Sequence, residues 1–200
     1  MTQPDMGMSA HGMIRQQWLR FYDKPPKGMR VVQSWDTCIG AGYHHSASAC
    51  LTIGEHKGEY YLIDSETFRL GYPELKQKVY DMAKKFNPQA ILIEDRASGQ
   101  QLLQDLRRES SMPLVACREM KRHKDAKIER FAALSCFMES GKLFLPHRVH
   151  PEFVQELLEI PYGNHDDQVD ATTQALLAWT IPPETKTILI YDDPVRISPV

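Results

Sequence analysis

RVVQSWDTCIGAGYHHSASACLTIGEHKGEYYLIDSETF (30–68) decides the architecture, because it holds three β-rich runs in close succession. RVVQSWDTCI (30–39) reads as a first strand, and the glycines of IGAGYHHS (39–46) mark a loop after it. SACLTIGE (48–55) and EYYLIDSETF (59–68) are joined by HKG, short enough for an antiparallel hairpin. Three such runs predict an antiparallel meander.

The pattern changes after residue 68. YPELKQKVYDMAKKF (72–86) spaces Leu75, Val79, Met82 and Phe86 at helical intervals, and NP stops it. QAILIED (89–95) and MPLVACRE (112–119) are short apolar runs, the mark of strands buried on both faces. Between them ASGQQLLQDLRRES (97–110) is helical, with Ser98 as its cap. KDAKIERFAALSCFMESG (124–141) is a helix stopped at Gly141, KLFLP (142–146) a short edge strand, and HPEFVQELLEI (150–160) a further helix. PYGNHDDQVDATTQALLAW (161–179) supplies the last one. A meander followed by alternating helices and strands predicts one α/β domain over 30–180, a mixed sheet with helices on both faces. Residues 1–29 read as a partly ordered extension in which QQWLRFY (16–22) packs as a short helix, and 181–200 as a proline-punctuated tail. Tyr60, Tyr61 and Trp179 read as core.

Bulk properties narrow the function. With 42% hydrophobic and 25% charged residues, the chain has neither a disordered segment's apolar poverty nor a long membrane-spanning run. Four scattered cysteines, with no CxxC pair, read as reduced thiols rather than a disulfide or zinc framework. The first residues show no secretion signal. A net charge of -2 gives no global sign of nucleic acid, so any such affinity must be local.

The acids at the ends of buried elements carry the chemistry. Asp36 ends the first strand, Glu94 and Asp95 end the fourth, and Asp166, Asp167 and Asp170 open the last helix. Glu94 and Asp95 point oppositely, so only one of them joins a given cluster. Asp166 and Asp170 share a helical face, while Asp167 projects about 100° away. Each acid also has an ordinary reading: a strand-end acid suits a turn, and Asp166 and Asp167 suit a helix start capped by Asn164. Asp170 then falls about a turn further in, beyond that benefit. If the first strand lies centrally beside the fourth, a nest of three or four carboxylates forms. Such a nest repels itself unless cations fill it. Oxygen donors suit Mg²⁺ or Mn²⁺, and two such ions about 4 Å apart stabilise attacking and leaving oxygens in phosphodiester cleavage. REMKRHKDAKIER (118–130) carries six Lys/Arg against three acids, a net +3. It is either a solvated helix start or a phosphate grip through Lys121, Arg122, Lys124, Lys127 and Arg130. Arg96 either meets a phosphate or pairs with Glu94 or Asp95. His165 is either a packing residue or a support for a carboxylate.

Taken in order, WLRFYDKPP and VVQSWDT (18–37), ILIEDRASGQQLLQDLR (91–107), KDAKIERFAALSCFMESGKLFLP (124–146) and NHDDQVDATTQAL (164–176) resemble the C-terminal nuclease domain of the large terminase subunit of tailed bacteriophages. The resemblance covers roughly 15–180 and implies a ribonuclease H-like fold. It implies a metal-dependent endonuclease using Mg²⁺ or Mn²⁺, cutting concatemeric double-stranded DNA during packaging in the bacterial cytoplasm. A packaging ATPase, a small terminase subunit and a portal are the implied partners. Asp36 and Glu94 match the family's strand acids, with Asp95 at a more variable neighbouring position. HDDxVD matches its helix acids, with Asp167 favoured as ligand, Asp170 next and Asp166 in support. His44 and His45 lie in a loop with which the family often meets DNA. No GxxxxGK[ST] phosphate loop is present, so the resemblance is to the nuclease domain without its ATPase: a fragment, a short gene or a prophage remnant. A Holliday-junction resolvase or transposase-like nuclease, and a catalytically weak DNA-binding or assembly module, are the rival expectations.

Overall fold

The computed structural model describes residues 12–38, 47–95, 98–117 and 124–180. His44, His45, Arg96, Lys121, Arg122, the side chain of Lys124 and the tail 181–200 lie outside the described residues.

Among the described residues seven strands form one sheet: β1 (Arg20–Tyr22), β2 (Arg30–Asp36), β3 (Ser48–His56), β4 (Glu59–Phe68), β5 (Ala90–Glu94), β6 (Leu114–Cys117) and β7 (Leu143–Pro146). Their order is β1-β7-β4-β3-β2-β5-β6. The meander β2–β3–β4 is antiparallel, whereas β5 adds parallel to β2, β6 to β5, and β7 to β4. The β3–β4 turn is Lys57-Gly58, with φ of 53° and 81°. Two consecutive left-handed residues match the twist of a two-residue hairpin, and Glu55 closes it by accepting the Gly58 N–H at 2.9 Å.

The pleat sends alternate residues into two cores. Trp35, Cys50, Ile91 and Ile93 pack under α1 (Tyr72–Phe86) and α2 (Ser98–Glu109). Ala49, Leu51, Ile53 and Leu62 pack on the other face with α3 (Lys124–Glu139), α4 (Pro151–Glu159) and α5 (Asp167–Thr180). Tyr60 and Tyr61 are buried, and Trp179 packs against the second core.

Two expectations change. QQWLRFY is not one helix: a 3-10 turn at Gln16–Trp18 gives way to β1, which pairs parallel with β7. Strand β7 is therefore not an edge strand but lies between β1 and β4, with Leu143 and Leu145 buried. Tertiary contacts hold β1 extended: Tyr22 Oη donates to the Leu62 carbonyl at 2.7 Å, and Phe21 stacks on His147. Among the described residues no helix is long and apolar enough to cross a membrane.

Candidate active site

Strands β2 and β5 run parallel with Trp35 opposite Ile93, so their C-terminal ends lie side by side. The pleat decides what each end presents. Trp35 and Ile93 enter the core under α1 and α2, so Asp36 and Glu94 face the opposite side. That is the α5 side, where Gln174 Nε2 donates to Ser34 Oγ at 3.0 Å. Glu94, rather than Asp95, shares the Asp36 face. Asp95 continues the sheet through its backbone, its N–H donating to the Cys117 carbonyl at 2.7 Å.

The start of α2 braces both strand ends. Ser98, expected as a helix cap, turns its hydroxyl to a strand end instead. Its Oγ donates to the Thr37 carbonyl at 2.7 Å and lies 3.2 Å from Thr37 Oγ1, fastening α2 just after Asp36. Gly99 lies so near the end of β5 that a Cβ there would be 1.9 Å from the Glu94 carbonyl oxygen.

On the facing side α5 begins at Asp167, and the Asp166 carbonyl accepts the Asp170 N–H at 2.8 Å. The capping position is therefore Asp166, not Asn164, and Asp170 is the fourth helical residue. Two cations of α3 hold the acids on its side: Lys127 Nζ lies 2.5 Å from Asp166 Oδ2 and 3.1 Å from Asp170 Oδ2, and Arg130 lies 3.4 Å from Asp170 Oδ1. This explains an acid one turn inside the helix without appeal to the helix dipole. Lys127 and Arg130, expected at phosphates, meet carboxylates here. Burial works against the Lys127 ammonium, but Asp166 and Asp170 outweigh it and raise its pKa.

Repulsion dominates at the centre. Burial pushes the Asp36 carboxyl up to about 7, reinforced by Glu94, Asp167 and Asp170 and opposed by Lys127. Burial, then Asp166, raises Asp167, while the exposed His165 lowers it and Asp170 raises it further. Burial and Glu94 push the neighbouring Cys117 thiol up to about 12. Among the described residues no three Asp, Glu, His or Cys side chains close on a common point as they stand. The donor chemistry nevertheless fits a divalent cation: hard oxygens that repel one another across a sheet end.

A pH dependence follows. With its carboxyl raised, the folded state keeps a proton that the unfolded chain releases near pH 4, so this contribution to stability falls as pH rises from about 4 to 7. In EDTA, the wild-type protein is expected to lose more stability than Asp36→Asn between pH 5 and pH 8, by on the order of 2–3 kcal/mol in urea melts. Parallel pH profiles for the two proteins would refute the shift.

Sequence reasoning missed Glu156 of α4, which accepts hydrogen bonds from Gln168 at the start of α5. A cleft of about 340 Å³ opens there, lined by Arg69, Glu152, Glu156, Asn164, His165 and Asp167 among others. No local pattern announces Glu156, because its partner lies on the next helix.

Residues 33–178 match the family described as the terminase RNaseH-like domain. The fold is similar to the large terminase nuclease of thermophilic phage G20c with bound zinc, at a TM-score of 0.62 and 13% identity, covering 80% of this chain and 94% of that one. With bound cobalt the G20c nuclease gives 0.64 and 11%, covering 84% and 97%, and it has also been solved with magnesium. The large terminase of a second thermophilic bacteriophage gives 0.63 and 11%, covering 85% of this chain but 45% of that one. The chain thus spans less than half the length of that second terminase. No curated protein matches it. The mixed sheet with helices on both faces is the RNase H-like fold of these terminase nucleases.

Proposed function

The chain belongs to the terminase RNaseH-like domain family, and from that premise we propose that it is a metal-dependent endonuclease cutting double-stranded DNA during phage genome packaging. The observation that carries the reading is the placement of Asp36 and Glu94 on one face of adjacent parallel strand ends, with Asp167 and Asp170 of α5 near enough to repel Asp36. Asp36, Glu94 and Asp167 are the proposed metal ligands. Asp170 stands next to them, Asp166 supports from the helix cap, and Asp95 is outside the set because it follows the strand on the other side. Two Mg²⁺ or Mn²⁺ ions would supply positive charge for the attacking and leaving oxygens of the phosphodiester. The residues themselves hold the carboxylates in place: Trp35 anchors the strand end from the core side, and Ser98 fastens the Thr37 carbonyl just after Asp36.

The proposed nuclease unit is 30–180, working in the host cytoplasm with a packaging ATPase, a small terminase subunit and a portal. The basic composition of 118–130 supports DNA contacts, with Lys121, Arg122, Lys124 and Arg96 as the proposed partners of the phosphate backbone. His165 is a support for Asp167.

Nicking of supercoiled plasmid in Mn²⁺, abolished by EDTA, is the expected result. DNA binding without nicking at any protein concentration would establish a binding module instead. For Lys127, its two carboxylate contacts compete with a phosphate role. If it also grips DNA when metal is bound, Lys127→Ala is expected to reduce the slope of log affinity against log salt by about one. An unchanged slope would confine Lys127 to the acids.

A further inference from the structure

We propose that Glu156 is a positioning residue, which caps α5 from α4 and thereby sets the direction in which Asp167 and Asp170 face Asp36; this rests on the nuclease reading above. A helix start leaves its first backbone N–H groups without partners inside the helix, and the usual remedy is the side chain of the capping residue. Here that residue is Asp166, and its carboxylate is engaged by Lys127 instead. Glu156 takes over. Its Oε2 accepts the Gln168 backbone N–H at 3.1 Å, and its Oε1 accepts Gln168 Nε2 at 2.7 Å.

The connection continues across the sheet. Gln168, only 3% exposed, accepts a hydrogen bond through its Oε1 from Ser65 Oγ of β4. The start of α5 is therefore tied to a helix on one side and a strand on the other, by a side chain whose two neighbours in sequence are Asp167 and Val169. A helix held at one residue by backbone and side chain together cannot rotate about its axis, and rotation is what would carry Asp167 away from Asp36. The arrangement also separates two duties: Asp166 is left to Lys127, while Glu156 on α4 does the capping.

Two measurements on the full chain test this. Amide hydrogen exchange over 168–173 reads the cap without metal or substrate, and Mn²⁺ titration followed by EPR reads the positions of the acids. Glu156→Ala is expected to speed exchange in the first turn of α5 and to weaken Mn²⁺ binding roughly 10–100-fold. Glu156→Gln, which keeps one acceptor oxygen, is expected between that variant and wild type, and it carries the test if Glu156→Ala does not fold. Tyr22→Phe removes a hydrogen bond at the far side of the sheet. It serves as the control for general destabilisation, with Mn²⁺ affinity unchanged. Faster exchange with wild-type Mn²⁺ affinity would reduce Glu156 to a structural cap and overturn the proposal, as would unchanged exchange in both variants. If wild type binds Mn²⁺ but cuts no DNA, the nuclease reading fails while the Glu156 comparison still stands on affinity. If wild type binds no Mn²⁺, both fail together.

Discussion

Asp36→Asn is expected to lower Mn²⁺-dependent nicking by about 10³-fold or more while making the metal-free protein more stable at pH 8. The two effects have one cause. Asp36 stands at the end of β2 with its carboxyl pushed up to about 7, chiefly by burial and then by Glu94, Asp167 and Asp170. An amide of the same shape removes a charge that the fold alone disfavours. It also removes an anionic donor from a site where metal charge is worth several kcal/mol to the reaction, and about 4 kcal/mol is a factor of 10³. A variant damaged in folding would lose stability and activity together, so urea melts in EDTA beside plasmid nicking separate the two cases. Full activity in Asp36→Asn would remove Asp36 from the proposed ligand set.

Gly99→Ala is expected to cost both stability and activity, for a purely steric reason. The added Cβ would stand 1.9 Å from the Glu94 carbonyl oxygen, 3.1 Å from its carbon and 3.3 Å from Ile93 Cγ2. Two of these are backbone atoms at the end of a central strand, and Ile93 is fully buried, so no flexible tip can swing aside. Either α2 lifts from the sheet, loosening Leu102, Leu103 and Leu106, or the end of β5 shifts and takes Glu94 with it. Overpacking of this kind costs about 1–3 kcal/mol. A displacement near 1 Å at a catalytic group costs on the order of 10² in rate. Urea melts and nicking rates check both, and wild-type values in each would show that α2 adapts without disturbing β5.

Local pattern makes much of this fold legible. The meander, the Lys57-Gly58 turn and the helix at 72–86 are written in alternation, turn chemistry and helical spacing, and those signals act within a few residues. Asp36 and Glu94 are recognisable because an acid closing an apolar strand is conspicuous. What escapes is set by partners far along the chain. Three residues of β1 are too few to show a period, and only β7 makes them a strand. A helix cap at Asp166 instead of Asn164 moves Asp170 two positions closer to the helix start. Lys127 and Arg130 read as phosphate grips because the basic run is visible while the carboxylates they meet lie on another helix. Glu156 gives no signal, since its amphipathic helix accounts for an acid at that position without a second role. The choice between Glu94 and Asp95 needs only the knowledge of which neighbours enter the core.

The position of β7 also orders events during synthesis. Arg20 pairs with Phe144, Phe21 with Leu145 and Tyr22 with Pro146, so β1 has no sheet partner until the far later residues of β7 have left the ribosome. The meander pairs among near neighbours and can form early. Strand β7 must then arrive against β4 before β1 can zip onto its outer side. Strand β1 thus precedes the meander in the chain but joins the sheet after it, and it waits as an unpaired aromatic segment until β7 gives it a place.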